Sequence, residues 1–280
     1  MPKMVWDQAG ERTYETGVSE CALYVAGTGS SYQTGVPWNG LTGVTESPSG
    51  AEETALYANN SKYLSLRSAE EFGGTIEAYT YPDDWAQCDG SATLVTGVHI
   101  GQQNRKSFGL AYKTVVGNDT EGEAHGYKLH LIYGASVSPS ERAYATINDS
   151  PEAITFSWEF TTTPVSIDST IVGASFKKTS ILTIDTTELS NGKDNTALAT
   201  LEGILYGTGA DSYVEATDVT ADNFASKKAN LYTKVGNTYS SAASASYSSS
   251  ETYYYKNASP RLPLPEEVYT IFAGASGQTS

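Results

Sequence analysis

The sequence predicts a mainly β protein built on an antiparallel sheet with one wet face, and three observations carry that prediction. In Tyr127-Lys128-Leu129-His130-Leu131-Ile132-Tyr133, residues Tyr127, Leu129, Leu131 and Tyr133 fall on one side, with Lys128 and His130 on the other. In Ile154 to Phe160 the apolar Ile154, Phe156, Trp158 and Phe160 alternate with Thr155, Ser157 and Glu159. A period of two is the mark of a half-buried strand. The composition agrees: 20 Tyr and 26 Gly against 2 Met in 280 residues favour strands and turns over helices. The two apolar faces are expected to meet in one core.

A chain of 280 residues exceeds the size at which single cores stop growing, so the expectation is one large domain with an appendage, or two domains. With 17 Lys+Arg against 32 Asp+Glu the net charge is -15. That argues against binding to nucleic acid or anionic membrane, both of which need basic surface, yet allows DNA to pass without sticking. No apolar run reaches the length of a membrane span, and the first residues lack the apolar stretch of a signal peptide, so synthesis and folding in a cytoplasm are expected. Cys21 and Cys88 then read as reduced thiols, too few for a structural zinc site.

In chain order, residues 1–20 form a polar N-terminal arm anchored by Trp6, and Cys21 to Val25 is the first strand. Val36 to Val44 is a Gly-rich strand carrying Trp38, read as core or edge. Thr54 to Ala58 and Lys62 to Leu66 are strands around the Asn59-Asn60 turn, with Ser68 to Phe72 as a connection. Thr75 to Tyr81 is a strand; Pro82 to Gly90 is a short helix, with Pro near its start, acids in its first turn and Gly past its end. Val98 to Gly101 and Ser107 to Val116 are strands joined by a polar turn, followed by an acidic hairpin loop from Gly117 to Gly126. Arg142 to Ile147 is a short strand between the two dominant ones. Beyond Ile167, Lys178 to Asp185 is a strand, and Asp194 caps a helix with Leu198, Leu201 and Leu205 on one side and Gly207 as its stop. Residues 208–259 form a Ser/Tyr-rich insertion whose Ser240 to Ser250 reads as a mobile loop. In 260–280, Pro265 starts a short helix with Val268, Ile271 and Phe272 on one face, a face that must dock on something.

No motif brings chemistry together. Glu52-Glu53 and Glu70-Glu71 are sequence neighbours on extended chain, so their carboxylates diverge. Asp83-Asp84 is explained by the charge preference of a helix N-terminus. Asn118, Asp119, Glu121 and Glu123 lack the spacing of a calcium loop, and His99, His125 and His130 have no nucleophile beside them. The expectation is a structural or interaction protein, not an enzyme, with no cofactor and no metal.

Several pieces of the chain resemble the major tail tube proteins of long, non-contractile-tailed bacteriophages of Gram-positive bacteria. They are Trp38 to Thr42, Glu46 to Glu52, Leu56 to Tyr63, Gly74 to Pro82, Ile100 to Gln103, Gly126 to Gly134, Thr146 to Glu152 and Pro260 to Val268. Each piece is short; their number and order carry the likeness, which skips residues 208–259. The resemblance implies a tail-tube β-sandwich or barrel-like core over 1–207 with a flanking short helix. It implies hexameric rings stacked helically into a hollow virion tail tube that houses the tape-measure protein and conducts DNA. The implied partners are the chain itself, the tape-measure protein, the tail terminator and distal tail or baseplate proteins, with no membrane.

On that basis the candidate inter-subunit residues are Trp6, Trp38, Asn39, Leu41, Glu46, Glu52 and Glu53. The candidate lumen-facing residues are Glu77, Lys128, His130 and Glu159, for each of which ordinary outer surface is the competing reading. Val268, Ile271 and Phe272 are the candidate docking helix, on its own core or on the next subunit. A carbohydrate-binding β-sandwich or phage adhesin, using exposed Trp and Tyr as sugar platforms, is the alternative.

Overall fold

The computed structural model describes residues 4–29, 31–144, 146–147, 149, 153–208, 213–215, 220–221, 224–228, 231–235, 238–256 and 259–276. The elements run β1 (Thr13–Val25), β2 (Val36–Pro37), β3 (Leu41–Glu46), β4 (Ser49–Gly50), β5 (Glu53–Ala58), β6 (Ser61–Arg67), β7 (Glu70–Glu71) and β8 (Gly73–Ala78). After a single turn at Asp83–Trp85 come α1 (Ala86–Asp89), β9 (Ala92–Val95), β10 (Val98–Ile100), β11 (Phe108–Asn118), β12 (Gly122–Val137) and β13 (Phe156–Thr162). Then follow α2 (Ser169–Val172), β14 (Ile181–Asp185), α3 (Thr196–Tyr206), β15 (Tyr213–Glu215), α4 (Phe224–Lys227), β16 (Leu231–Val235), β17 (Thr238–Ser241), β18 (Tyr253–Lys256) and α5 (Pro265–Ser276).

One antiparallel sheet dominates, in the order β2-β1-β11-β12-β13-β8-β3, with β14 also paired to β12. It folds over itself. The inner face of β3, β8 and β13 closes on that of β1, β11 and β12 around an aromatic core containing Trp38, Trp85, Phe108, Trp158 and Phe160. The rings meet edge to face, Trp85 and Trp158 with centroids 5.3 Å apart and Trp38 and Trp158 5.8 Å apart, the arrangement their quadrupoles favour. On the outer face of β1, β11 and β12 lies a second core, where Leu129, Leu131 and Tyr133 pack against Leu198, Leu201 and Leu205 of α3 and Val268 of α5.

The expectation of a single core is therefore corrected. The apolar face of 127–133 belongs to the helix-side core, and Phe156, Trp158 and Phe160 belong to the aromatic one. A bulge in β12 makes this possible. Leu110 pairs with Ile132 and Phe108 with Ala135, so three steps on β12 match two on β11. Gly134 takes up the extra residue with φ 60, and a Cβ there would lie 2.3 Å from the Thr163 carbonyl oxygen. Before the bulge odd residues face the helices; after it Ala135 and Val137 face the aromatic core. One extra residue flips the parity of the strand.

Helix α3 starts where Asn195, not Asp194, accepts from the backbone N–H groups of Ala197 and Leu198; Asp194 closes the preceding turn. The helix is latched to the sheet by Lys113, whose Nζ lies 2.7 Å from both Glu20 and Glu202 and 4.6 Å from the Tyr127 ring centroid. Glu20 reaches that face because it sits at an irregularity of β1 with φ 49. Burial disfavours the Lys113 charge, but the two carboxylates outweigh it and hold the ammonium above its usual range. Burial in the aromatic core pushes the Cys21 and Cys88 thiols up to about 12, which leaves them inert as nucleophiles.

Four further expectations are revised. The described residues of 142–147 form no strand; Arg142 instead pairs with Asp89 and lies over the rings of Tyr81 and Phe156. Strand β10 pairs with β9 in a separate hairpin, not through a turn with β11. Part of the 68–72 connection is the short strand β7, paired with β4. The insertion carries a small four-stranded sheet, β15-β18-β16-β17, over Phe224, Leu231, Ala242 and Tyr253. Within its Ser-rich stretch the Ala242 N–H donates to the Leu231 carbonyl and the Ser248 N–H to the Tyr253 hydroxyl, so sequence simplicity there coexists with defined pairing.

Candidate assembly surfaces

Two ribbons stand away from both cores. Between β3 and β8 the chain runs out and back through β4, β5, β6 and β7, and among the described residues β5 pairs only with β6. Its turn residues Asn59 and Asn60 have φ 49 and 60, the double left-handed geometry that suits a tight hairpin and that Asn tolerates. Leu56 faces Leu64 across the ribbon. Exposure is 42% at Leu56, 74% at Tyr57 and Tyr63, 47% at Leu64 and 52% at Leu66. Strand alternation puts the three leucines on one face and Tyr57 on the other, with Tyr63 as the extra residue between the Leu56–Leu64 and Tyr57–Lys62 pairs. The β9–β10 ribbon likewise exposes Leu94, Val95, Val98 and Ile100. An isolated two-stranded hairpin is marginal in water, and a contiguous exposed apolar patch is a candidate interaction surface.

The expected inter-subunit residues divide. Trp6 is 73% exposed beside Met4 and Val5, and Asn39 and Glu52 lie on the surface. Trp38 is 4% exposed and its indole N–H donates to the Thr80 carbonyl, while Leu41 packs on the same aromatic core. These two are core residues in the folded chain. Glu53 is held within its own ribbon by Lys62, Arg67 and the Ser65 hydroxyl. Val268 is buried with Ile271 and Phe272 packed beside it in the helix-side core, so the α5 face docks on its own chain. The ribbons were missed as surfaces because a strand sequence does not say whether a third strand covers it. Their signal was the near absence of polar alternation at Leu56-Tyr57 and Tyr63-Leu64.

The expected lumen-facing residues also split into two pairs. Glu77 and Glu159 point away from the aromatic core, since their neighbours Ile76, Trp158 and Phe160 point into it. With Thr45, Thr75, Ser157 and Thr161 they make a polar face across β3, β8 and β13 whose only charges are acidic. Lys128 and His130 lie on the opposite side of the folded sheet, at the mouth of the aromatic core. His130 stacks on Tyr112 with centroids 4.7 Å apart.

That mouth is a dense polar cluster. Lys128 donates to Glu15 at 2.8 Å and lies 3.8 Å from Asp185. The Thr114 hydroxyl donates to Glu15 at 2.6 Å, and the Tyr112 hydroxyl donates to Glu46. His130 Nε2 is 3.0 Å from the Thr114 hydroxyl, and Nδ1 is 3.4 Å from Glu46 Oε1. His130 and Tyr112 hold the Glu46 carboxyl below its usual range despite partial burial. For Glu15, burial pushes upward but the Lys128 and Thr114 hydrogen bonds prevail and lower it. Both carboxylates then contribute stability that is present above the unfolded value of about 4.3 and is lost as pH falls below it. Urea midpoints measured against pH are expected to drop across that window, and less steeply in Glu46→Gln.

Among the described residues no three His, Cys, Asp or Glu side chains gather as a metal site, and no helix is long and apolar enough to cross a membrane. No family model matches the chain, and no curated protein matches it.

Proposed function

We propose that this chain is a structural virion protein, the subunit of a phage tail tube. In this reading six copies close a ring, rings stack into a hollow tube around the tape-measure protein, and DNA later passes through. The observation that carries it is the pair of projecting ribbons with exposed apolar residues, β5–β6 and β9–β10, on a chain whose body buries two cores of its own. Surfaces of this kind that meet a different surface on the next copy build filaments, not closed dimers. The sequence resemblance supplies the rest, including ring number and partners. The acid-only face of β3, β8 and β13 suits a wall past which phosphates slide without binding. The adhesin reading is weakened by the burial of Trp38, Trp85 and Trp158, which removes three of the 4 tryptophans as sugar platforms.

Negative-stain electron microscopy with sizing tests the proposal. Rings or tubes with a central hole are expected from the purified chain or from the chain with tail-initiator proteins. A Leu56→Glu/Leu64→Glu variant should stay folded and lose assembly, and Glu77→Lys should assemble yet slow DNA release. A dilution-stable monomer that assembles under neither condition overturns the reading.

A further inference from the structure

The polar cluster at the mouth of the aromatic core has a proton count that can be followed atom by atom. A threonine hydroxyl has one proton, and Thr114 gives it to Glu15 at 2.6 Å. The 3.0 Å contact between Thr114 and His130 Nε2 must then run the other way, with Nε2–H donating to the hydroxyl oxygen. Two further donors of the cluster are also committed. The Tyr112 hydroxyl is given to Glu46, and the Lys128 ammonium is turned to Glu15 and Asp185. Among the described residues Nδ1 is buried without a hydrogen bond of good geometry, and Glu46 Oε1 lies 3.4 Å from it. A bare nitrogen lone pair buried against a carboxylate would set two acceptors against each other, an arrangement native interiors avoid.

We propose that His130 is doubly protonated in the folded chain, an imidazolium wedged between Glu15 and Glu46 that clasps the root of the β4–β7 ribbon to the main sheet. A proton on Nδ1 turns the Glu46 contact into a charge-assisted pair. It also places a cation on the Tyr112 ring, whose plane lies 4° from that of the imidazole. The charges balance better. Glu15, Glu46 and Asp185 face Lys128 alone if His130 is neutral, and face two cations if it is charged. Glu46 is the last residue of β3, paired with Gly74 of β8, and the next N–H, that of Ser47, donates to the Gly73 carbonyl. A clasp on Glu46 thus acts where the ribbon leaves the sheet. Its role in assembly rests on the tube reading; the protonation state does not.

Nitrogen-15 NMR of the imidazoles in the unassembled full chain at neutral pH tests the clasp. With 3 histidines in the sequence, the His130 signals are assigned by elimination with His99→Gln and His125→Gln, both outside the cluster. Both His130 ring nitrogens are expected to be protonated. In Glu46→Gln the Nδ1 proton should be lost and the Ser47 amide should exchange about tenfold faster, as for one lost hydrogen bond. An unprotonated Nδ1 in the unaltered chain overturns the proposal, as does a Glu46→Gln variant with unchanged ring protonation and Ser47 exchange. Either result leaves the tube reading standing, because nothing in the measurement requires assembly.

Discussion

Trp158→Asp is expected to leave no folded chain. Trp158 is 1% exposed, and its ring lies within 6 Å of the ring centroids of Trp38, Tyr81, Trp85 and Phe156. Removing a buried tryptophan side chain costs about 3–5 kcal/mol in lost transfer energy and cavity. The carboxylate adds several kcal/mol more, because it would give up its hydration among aromatic rings. Against a typical stability of about 5–15 kcal/mol the sum is decisive. Far-ultraviolet circular dichroism and sizing should report an unfolded or aggregated chain, whereas Trp158→Phe should fold with a lowered urea midpoint. A cooperatively folding Trp158→Asp chain would mean that the aromatic cluster is not the core described.

Gly134→Val is the second change with a large expected effect. The position has φ 60, where a β-branched residue is strained by roughly 1–3 kcal/mol. The added Cβ would also lie 2.3 Å from the Thr163 carbonyl oxygen, an atom of the backbone that cannot swing aside. If the bulge is relieved by slipping one residue, Ala135 and Val137 exchange cores with Ser136. The expected loss is about 3–5 kcal/mol, seen as a drop in urea midpoint, with Gly134→Ala intermediate. A variant as stable as the parent would show that β12 does not need the parity change.

Much of the fold was legible in the sequence because period-two alternation reports which strands have one apolar face. The strand at 127–133, the helix expected over 195–206 with its three leucines and its Gly stop, and the Pro-led terminal helix are where the pattern puts them, while the strand expected from Ile154 to Phe160 begins at Phe156 and leaves Ile154 39% exposed. The described residues of the expected Arg142 to Ile147 strand form none, for a physical reason. Its β-branched and aromatic residues raise strand propensity, but Arg142 is bound to Asp89 and to two rings across the fold, and tertiary contacts outweigh propensity. The two cores and the split of Glu77 and Glu159 from Lys128 and His130 were not legible. Alternation says that two residues share a face of one strand, never which side of a folded sheet that face becomes.

By itself the sequence determined that the chain is mainly β, which strands have an apolar side, and that its net charge is -15. The tertiary structure alone decided that Gly134 divides one strand between two cores, that Trp38 is interior, and that His130 meets Glu46 across the mouth of one core. The physical reason is range. Side-chain parity is local and repeats every two residues, whereas a bulge, a sheet folding over itself and a polar cluster drawn from several strands depend on contacts between residues far apart in the chain.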